Sequence, residues 1–577
     1  MKRKILKGTS LLLANVMLVS ALAACGSSGD KEETKQPEST DAGKTETTTE
    51  TTQPAMDTTP ITYTMLAADP SPDWNQMQDD VGKQITAKTG ITLKMDFATD
   101  ANKVSLVAAS GEYPDIISAK GSSNLFVDAG AVLELSDLID KYGPNLKKVY
   151  GDYWNRLKWS TDDEGIYVLP TYDGVNNTYF DAGGAFTLQH QAVEEAGYPQ
   201  IKTVKDYEKV IADYVAKHPT TADGQKTLGL SLLADDWRIM ISVTNPAFQA
   251  TGASDDGEIY IDPKTYQATF HYRRPEEKEY FRWLNHMNDI GLLDPESFVQ
   301  KEDQYRSKIA QGRVVGVIDQ KWGFQQAIDT LKKDGKLSAT YGFYSVQLDD
   351  KTVDHTFEPT GFMGGYGIMI SKDAKNPERI IQLLDYLASE EGQVLVNWGI
   401  EGKHYNVENG KRVIPQDVQD KKLNDASNFK KTTGIGLWNN YGPHYGDGVQ
   451  DSTGNYFTTN FPEQIQNSYS DEDKKVLAAY GKTTWKDFFP SEKEFAAKPW
   501  GAAWNLPVPS DSDANIIYNK LTPIVRKRIP EIILSKPSEF DAKWDAFMAE
   551  LDKNDVKKYE EEYTKYIQAR VDLWSGK

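Results

Sequence analysis

The sequence predicts an α/β fold of mainly parallel strands joined by crossover helices, and three observations carry that prediction. From Ile61 to Ile117, β-rich and helical runs alternate at short spacing, the pattern of parallel strands with helical crossovers. Farther on, apolar residues recur at helical spacing, as in Ile380, Ile381, Leu384 and Leu387, which marks a helix docked on a sheet. The chain has 577 residues, 39% of them hydrophobic, ample for a large core. At roughly 150 residues per domain this means two to four folding units.

The first element is a secretion signal. Met1-Lys2-Arg3-Lys4 is basic, residues 5–24 are largely apolar, and Leu22-Ala23-Ala24-Cys25 ends the run with small residues and the only cysteine. These are the three regions of a signal peptide over residues 1–25, and the last four resemble a bacterial lipobox. Cleavage before Cys25 would leave an N-terminal cysteine to carry acyl chains, such as palmitate; the alternative is an uncleaved anchor with a free thiol. Residues 26–59 are mostly small, polar and charged. They cannot bury enough surface to offset the entropy of ordering, so they form a disordered linker.

Ile61–Leu66 reads as the first strand, followed by a loop through Trp74 and a helix from about Gln76 to Thr89 that Gly90 stops. Ile91–Phe97 alternates as a second strand, a short helix covers about Asn102–Ala109, and Ile116-Ile117 begins a third strand. Loops at the carboxyl ends of such strands line the ligand crevice, which makes residues 69–74 and 118–123 rim segments. Val204–Ala216 is an amphipathic helix, Leu228–Leu233 an apolar strand, Pro275–Ile290 a helix and Arg313–Ile318 a buried strand. Asp235–Arg238 and Asp319–Trp322 occupy the exits of those two strands. Asn376-Pro377 places a cap before a first-turn proline. After Tyr405 some 130 residues lack periodicity but are rich in aromatics and glycine, including Gly436–Gly442 and Trp500–Trp504. Ser538 with Asp541 reads as a capping box, and a last helix spans about Asn554–Trp574.

A formal net charge of −20 argues against nucleic acid as a partner, since phosphate backbones require basic surfaces. With no cysteine after Cys25, disulfides and thiolate metal sites are excluded from the body. The acidic turns Asp255–Glu258 and Asp349-Asp350 read as solvated loops. The 13 tryptophans and 30 tyrosines are the informative excess, because flat rings suit stacking.

Six phrases, in order, resemble extracellular solute-binding proteins, specifically the lipoprotein subfamily that serves sugar and oligosaccharide ABC importers in Gram-positive bacteria. They are Lys88–Ile91, Ala109–Ile116, Gly165–Pro170, Gly364–Lys372, Lys375–Arg379 and Gly399–Tyr405. The resemblance implies a two-lobed, periplasmic-binding-protein-like fold, each lobe a mixed, mainly parallel sheet with flanking helices. Lobe 1 would hold residues 60–171 and about 367–435, lobe 2 residues 172–366, and about 436–577 would pack on both lobes. Hinge crossovers would follow Pro170 and return at Gly364–Gly367. It also implies an oligosaccharide ligand, ABC permease partners, a monomer anchored outside the membrane through Cys25, and no cofactor. Some members carry a calcium loop near residues 220–226; here only Asp223 remains of its carboxylates, too few oxygen ligands for a bound calcium.

Sugar rings present apolar faces and hydroxyl rims, so their sites need aromatic platforms with Asp, Asn or Arg beside them. The residues that fit are Trp74, Asp236, Trp237, Asp319, Trp322, Tyr366, Trp438 and Asn439. A secreted glycosidase is the alternative, but it needs two carboxylates facing one scissile bond. No motif here pairs them, and the seven histidines include no HExxH spacing. A peptide cargo also stays open, because aromatic clefts take peptides.

Overall fold

The structure, a computed structural model, describes residues 56–100 and 102–576. The signal segment, Cys25 and most of the linker lie outside the described residues. Strands β1 (Ile61–Ala67), β2 (Ile91–Phe97) and β3 (Ile116–Ser118) are parallel, with Ile61 opposite Ile91 and Met65 opposite Ile116. The β1–β2 crossover helix, Asp80–Thr89, starts later than Gln76 because Gln76 and Met77 adopt positive φ. The Asp79 carboxylate instead accepts the Gly82 N–H at 2.6 Å and caps it. Gly90 ends the helix in the left-handed region at φ 71°.

Strand β4 (Leu169–Pro170) lies at the edge of this sheet, after which the chain crosses to a second one. Its strands are β5 (Gly184–Gln189), β6 (Leu228–Ser231), β9 (Val314–Gln320) and β10 (Tyr341–Tyr344), in the order β10-β5-β9-β6. A separate hairpin, β7 (Ile259–Ile261) and β8 (Ala268–Phe270), intervenes. Strand β11 (Gly367–Ile370) returns antiparallel between β3 and β4, giving the first sheet the order β2-β1-β3-β11-β4. At this crossing a Cβ on Gly367 would lie 1.9 Å from the Leu169 carbonyl oxygen, so only glycine lets the two crossover strands meet.

The result is two lobes with separate interiors. One core joins Tyr63, Leu93, Ile116, Ile370, Ile381 and Leu384, with Leu66, Phe126 and Met369 packed in a companion cluster. The other joins Phe186, Ile211, Leu230 and Val317 with Ile517, Val525, Trp544, Phe547 and Ile567 from the last three helices. The stretch expected to cover both lobes therefore divides. Residues through Tyr441 belong to the first core, while Ile465 onward fills the second.

Three local expectations are corrected. A 3-10 turn at Pro537–Glu539 precedes the helix Phe540–Lys553, so Ser538 caps nothing and Asp541 pairs with Arg282 at 2.8 Å and Lys278 at 2.8 Å. Asn376 precedes its helix in the left-handed region without a side-chain cap, and its carbonyl accepts the Tyr63 hydroxyl at 3.0 Å. The turn at Asp255–Glu258 is not simply solvated. Asp256 is buried and accepts Lys498 Nζ at 2.9 Å and the Ala503 N–H at 2.9 Å, which ties the C-terminal stretch to the second lobe.

Candidate functional site

Between the two cores lies a cavity of about 700 Å³, within the roughly 300–1,000 Å³ typical of ligand sites. Trp438 and Leu387 line it from the first core, Tyr341 and Phe343 from the second, and the crossover residues Tyr172 and Asp173 complete the wall. Helix Lys321–Lys333, which leaves the carboxyl end of β9, contributes Lys321 and Gln325.

Trp237 and Trp322 are exposed indoles of the second lobe, at 45% and 54% of full exposure, and both lie outside the lining of this cavity, which Lys321 beside Trp322 reaches. They stack with ring centroids 5.9 Å apart and an interplanar angle of 22°. The Arg238 guanidinium lies 4.7 Å from the Trp322 ring and 5.4 Å from that of Trp237. Trp322 is in the first turn of a helix rather than in an exit loop.

Asp319 differs from expectation in the same way. It is the penultimate residue of β9 and buried, in a central strand covered on both faces. Its carboxylate pairs with Arg238 at 2.8 Å and accepts the Tyr305 hydroxyl at 3.1 Å and the Gln320 N–H at 2.7 Å. Asp319 thus holds Arg238 beneath the indole pair instead of facing a ligand. Asp236 takes a positive φ of 49° and pairs with Arg526 at 2.8 Å.

In the first lobe, Trp74 and Trp438 keep only 8% and 2% of their exposure. Their rings meet edge-on at 5.3 Å, and Tyr441 closes on Trp74 at 5.9 Å. Edge-to-face packing buries most of both indoles, and of the two only Trp438 reaches the cavity wall. Asn439 is exposed and lines the cavity beside them. Tyr366 packs against Tyr172 at 5.9 Å and Trp504 at 5.1 Å.

Sequence reasoning missed several partners. Asp69 and Lys120, each in a rim segment, form an ion pair at 2.8 Å, and Lys120 reaches to 5.5 Å from the Tyr172 ring. Burial pushes the Tyr172 phenol well above its usual range, and the nearby Asp69 charge adds to the effect. Trp504 is 41% exposed; the Trp500–Trp504 phrase was visible, but no periodicity placed it. Residues 220–226 close as a small turn with Thr220 bridged to Lys226. Among the described residues no group of three or more His, Cys, Asp or Glu could hold a metal.

Asp173 gives the cavity a titrating wall. Burial pushes its carboxyl up to about 6, against the smaller pull of the Met363 N–H, which it accepts at 2.9 Å, and of Arg156. A raised folded-state value means this group favours folding fully below about pH 4 and loses that contribution as pH rises through 6. Asp173→Asn keeps an acceptor for Met363 and cannot ionise. Its stability relative to the unsubstituted protein should therefore increase between pH 4 and 7, measured as the difference in chemical-denaturation midpoints. A pH-independent difference would show that Asp173 does not titrate in this window.

The sequence profile described as bacterial extracellular solute-binding protein matches residues 80–397. The chain is 23% identical over 404 residues to the fructooligosaccharide ABC transporter substrate-binding protein FusA of Streptococcus pneumoniae serotype 4, covering 67% of this chain and 70% of that one. It is 21% identical over 345 residues to lipoprotein LipO of Bacillus subtilis, covering 57% and 64%. Among solved structures, S. pneumoniae FusA in complex with kestose superposes with a TM-score of 0.60 at 18% identity, covering 88% of this chain and 99% of that one. An HMO-binding, ABC-transporter-associated solute-binding protein from Bifidobacterium longum infantis gives 0.64 at 15% identity, covering 90% and 99%. These superpositions establish the two-lobed fold.

Proposed function

We propose, because this chain belongs to the bacterial extracellular solute-binding proteins, that it captures an oligosaccharide between its lobes and passes it intact to an ABC importer. The observation that carries the reading is the cavity of about 700 Å³ with walls from both cores and from the crossover segments. A ligand there contacts both lobes fully only when they close, so binding shifts the population toward the closed form. That form then docks on the permease. The relative named for fructooligosaccharides makes short fructans the first ligands to try.

Binding without turnover is part of the proposal. The carboxylates that line the cavity are engaged within the protein: Asp173 accepts the Met363 N–H, Asp329 the Gln325 side-chain amide and Asp447 the Thr458 hydroxyl, while Asp473 accepts the Ser470 hydroxyl and pairs with His190. Acyl chains on Cys25 would tether a monomeric body outside the membrane.

The test is a thermal-shift and calorimetry panel of fructans and other oligosaccharides against the body from Thr59 onward. At a ligand concentration of 100 times Kd, stabilisation should reach about 2.7 kcal/mol, with the saccharide recovered intact by chromatography. A panel that shifts nothing would remove the oligosaccharide, and cleaved products would make the protein an enzyme.

A further inference from the structure

A second cavity, of about 400 Å³, is lined by Tyr366 and Trp504 and lies between the first lobe and the last helix, Val556–Trp574. Tyr366 touches Tyr172, which lines the first cavity, so the two cavities lie on either side of this one aromatic contact at the crossover. Their chemistry differs. Five cations line the second cavity, Lys120, Arg156, Lys158, Lys565 and Arg570, against a single carboxylate, Asp162. This is a positive pocket in a chain with 85 acidic and 65 basic residues.

Three of the cations are neutralised by carboxylates outside the lining: Lys120 by Asp69 at 2.8 Å, Lys158 by Glu164 at 2.6 Å and Lys565 by Glu562 at 2.7 Å. Arg156 and Arg570 are different. Arg156 donates to the carbonyls of Thr360 and Phe362. Arg570, which is buried, donates to the carbonyls of Trp500, Ala502 and Asn505 and to Asn505 Oδ1. Among the described residues neither guanidinium has a carboxylate at ion-pair distance; from farther off the charge of Asp173 acts on Arg156 and that of Asp256 on Arg570, and each offsets only part of the cost of burial. Both lie against one indole, Trp574, at 4.5 and 4.8 Å. Burial holds both below the usual arginine range, Arg570 to about 10, where the charge of Arg156 presses the same way. Neutral acceptors satisfy hydrogen bonds but not charge, and two desolvated guanidiniums sharing a cavity favour an anion between them. The rings of Tyr366 and Trp504 offer the faces a sugar needs.

We propose that this cavity is an anion subsite, and that the oligosaccharide taken by the cleft carries a carboxylate, as a uronic or sialic acid does, which docks there. The proposal rests on the oligosaccharide reading above. Arginine suits the role, because its planar fork meets a carboxylate with two parallel hydrogen bonds.

Calorimetry on pairs matched except for the acid tests it: trigalacturonate against galactotriose, and sialyllactose against lactose. At least one acidic member should bind about tenfold tighter or better than its neutral partner, and the gap should shrink in about 0.5 M salt. In Arg156→Met the acid-over-neutral ratio should fall to about twofold or less. Arg156→Lys, which keeps the charge but loses the planar fork, should lower the ratio less than Met does and serves if the Met variant fails to fold, which thermal unfolding reports. Neutral saccharides binding as well as, or better than, every acidic one would overturn the anion subsite and leave the oligosaccharide reading standing. No binding by any saccharide, acidic or neutral, would end both.

Discussion

Asp319→Ala is expected to destabilise the protein by about 3–5 kcal/mol, because it strands a buried guanidinium. Arg238 and Asp319 keep only 4% and 0% of their side-chain exposure, and their contact is 2.8 Å. The guanidinium cannot find another carboxylate without moving, and Arg238 Nε and Nη1 already lack protein acceptors. The Tyr305 hydroxyl and the Gln320 N–H lose their acceptor as well. Arg238 would be driven toward solvent, past the rings of Trp237 and Trp322 that it now underlies. Stability and ligand affinity should therefore fall together. Chemical denaturation of Asp319→Ala, Arg238→Met and the double variant separates the contributions. The double variant should be markedly less damaged than the sum of the singles, since removing both charges leaves none unpaired. Strict additivity would mean the pair is not coupled.

What the sequence made legible was local. Strand β2 was bounded as Ile91–Phe97 because its alternation and its glycine stop need only neighbouring residues. The helix with Ile380, Ile381, Leu384 and Leu387 was equally clear, because a 3.6-residue period shows within two turns. Side-chain fates set by distant partners were hidden. Trp74 and Trp438 are far apart in the chain yet pack ring to ring at 5.3 Å, and nothing near either residue announces it. Asp319 is expected at a strand exit, but β9 runs on to Gln320, so Asp319 stays within a strand buried on both faces and serves as a buried counter-ion to Arg238 instead of a ligand contact. Arg156 and Arg570 are far apart in the chain; Arg570 meets Trp574 one turn along the same helix, while Arg156 reaches that indole only through tertiary packing. Charge composition alone, acidic overall, pointed away from any cationic pocket.

The exposed indole pair should give the largest effect on binding. Replacing both Trp237 and Trp322 by alanine is expected to weaken oligosaccharide binding by about a hundredfold, some 2.7 kcal/mol, with each single variant costing about tenfold. The argument is one of area and geometry. Two half-exposed rings held near parallel at 22° leave ring surface open to a sugar, and Arg238 against them fixes that shelf's orientation. A pyranose or furanose face laid on that shelf loses water from both partners at little further entropic cost, since the rings are already ordered. Because the rings are solvent-facing, thermal unfolding should move little, by about 0.5–1 kcal/mol for the lost cation–π contact. Trp322→Phe, which keeps a ring over Arg238, should recover part of the affinity that alanine loses. Calorimetry on the double variant decides: affinity equal to that of the unsubstituted protein would take the shelf out of the site and leave Tyr366 and Trp504, at 5.1 Å from each other, as the stacking surface.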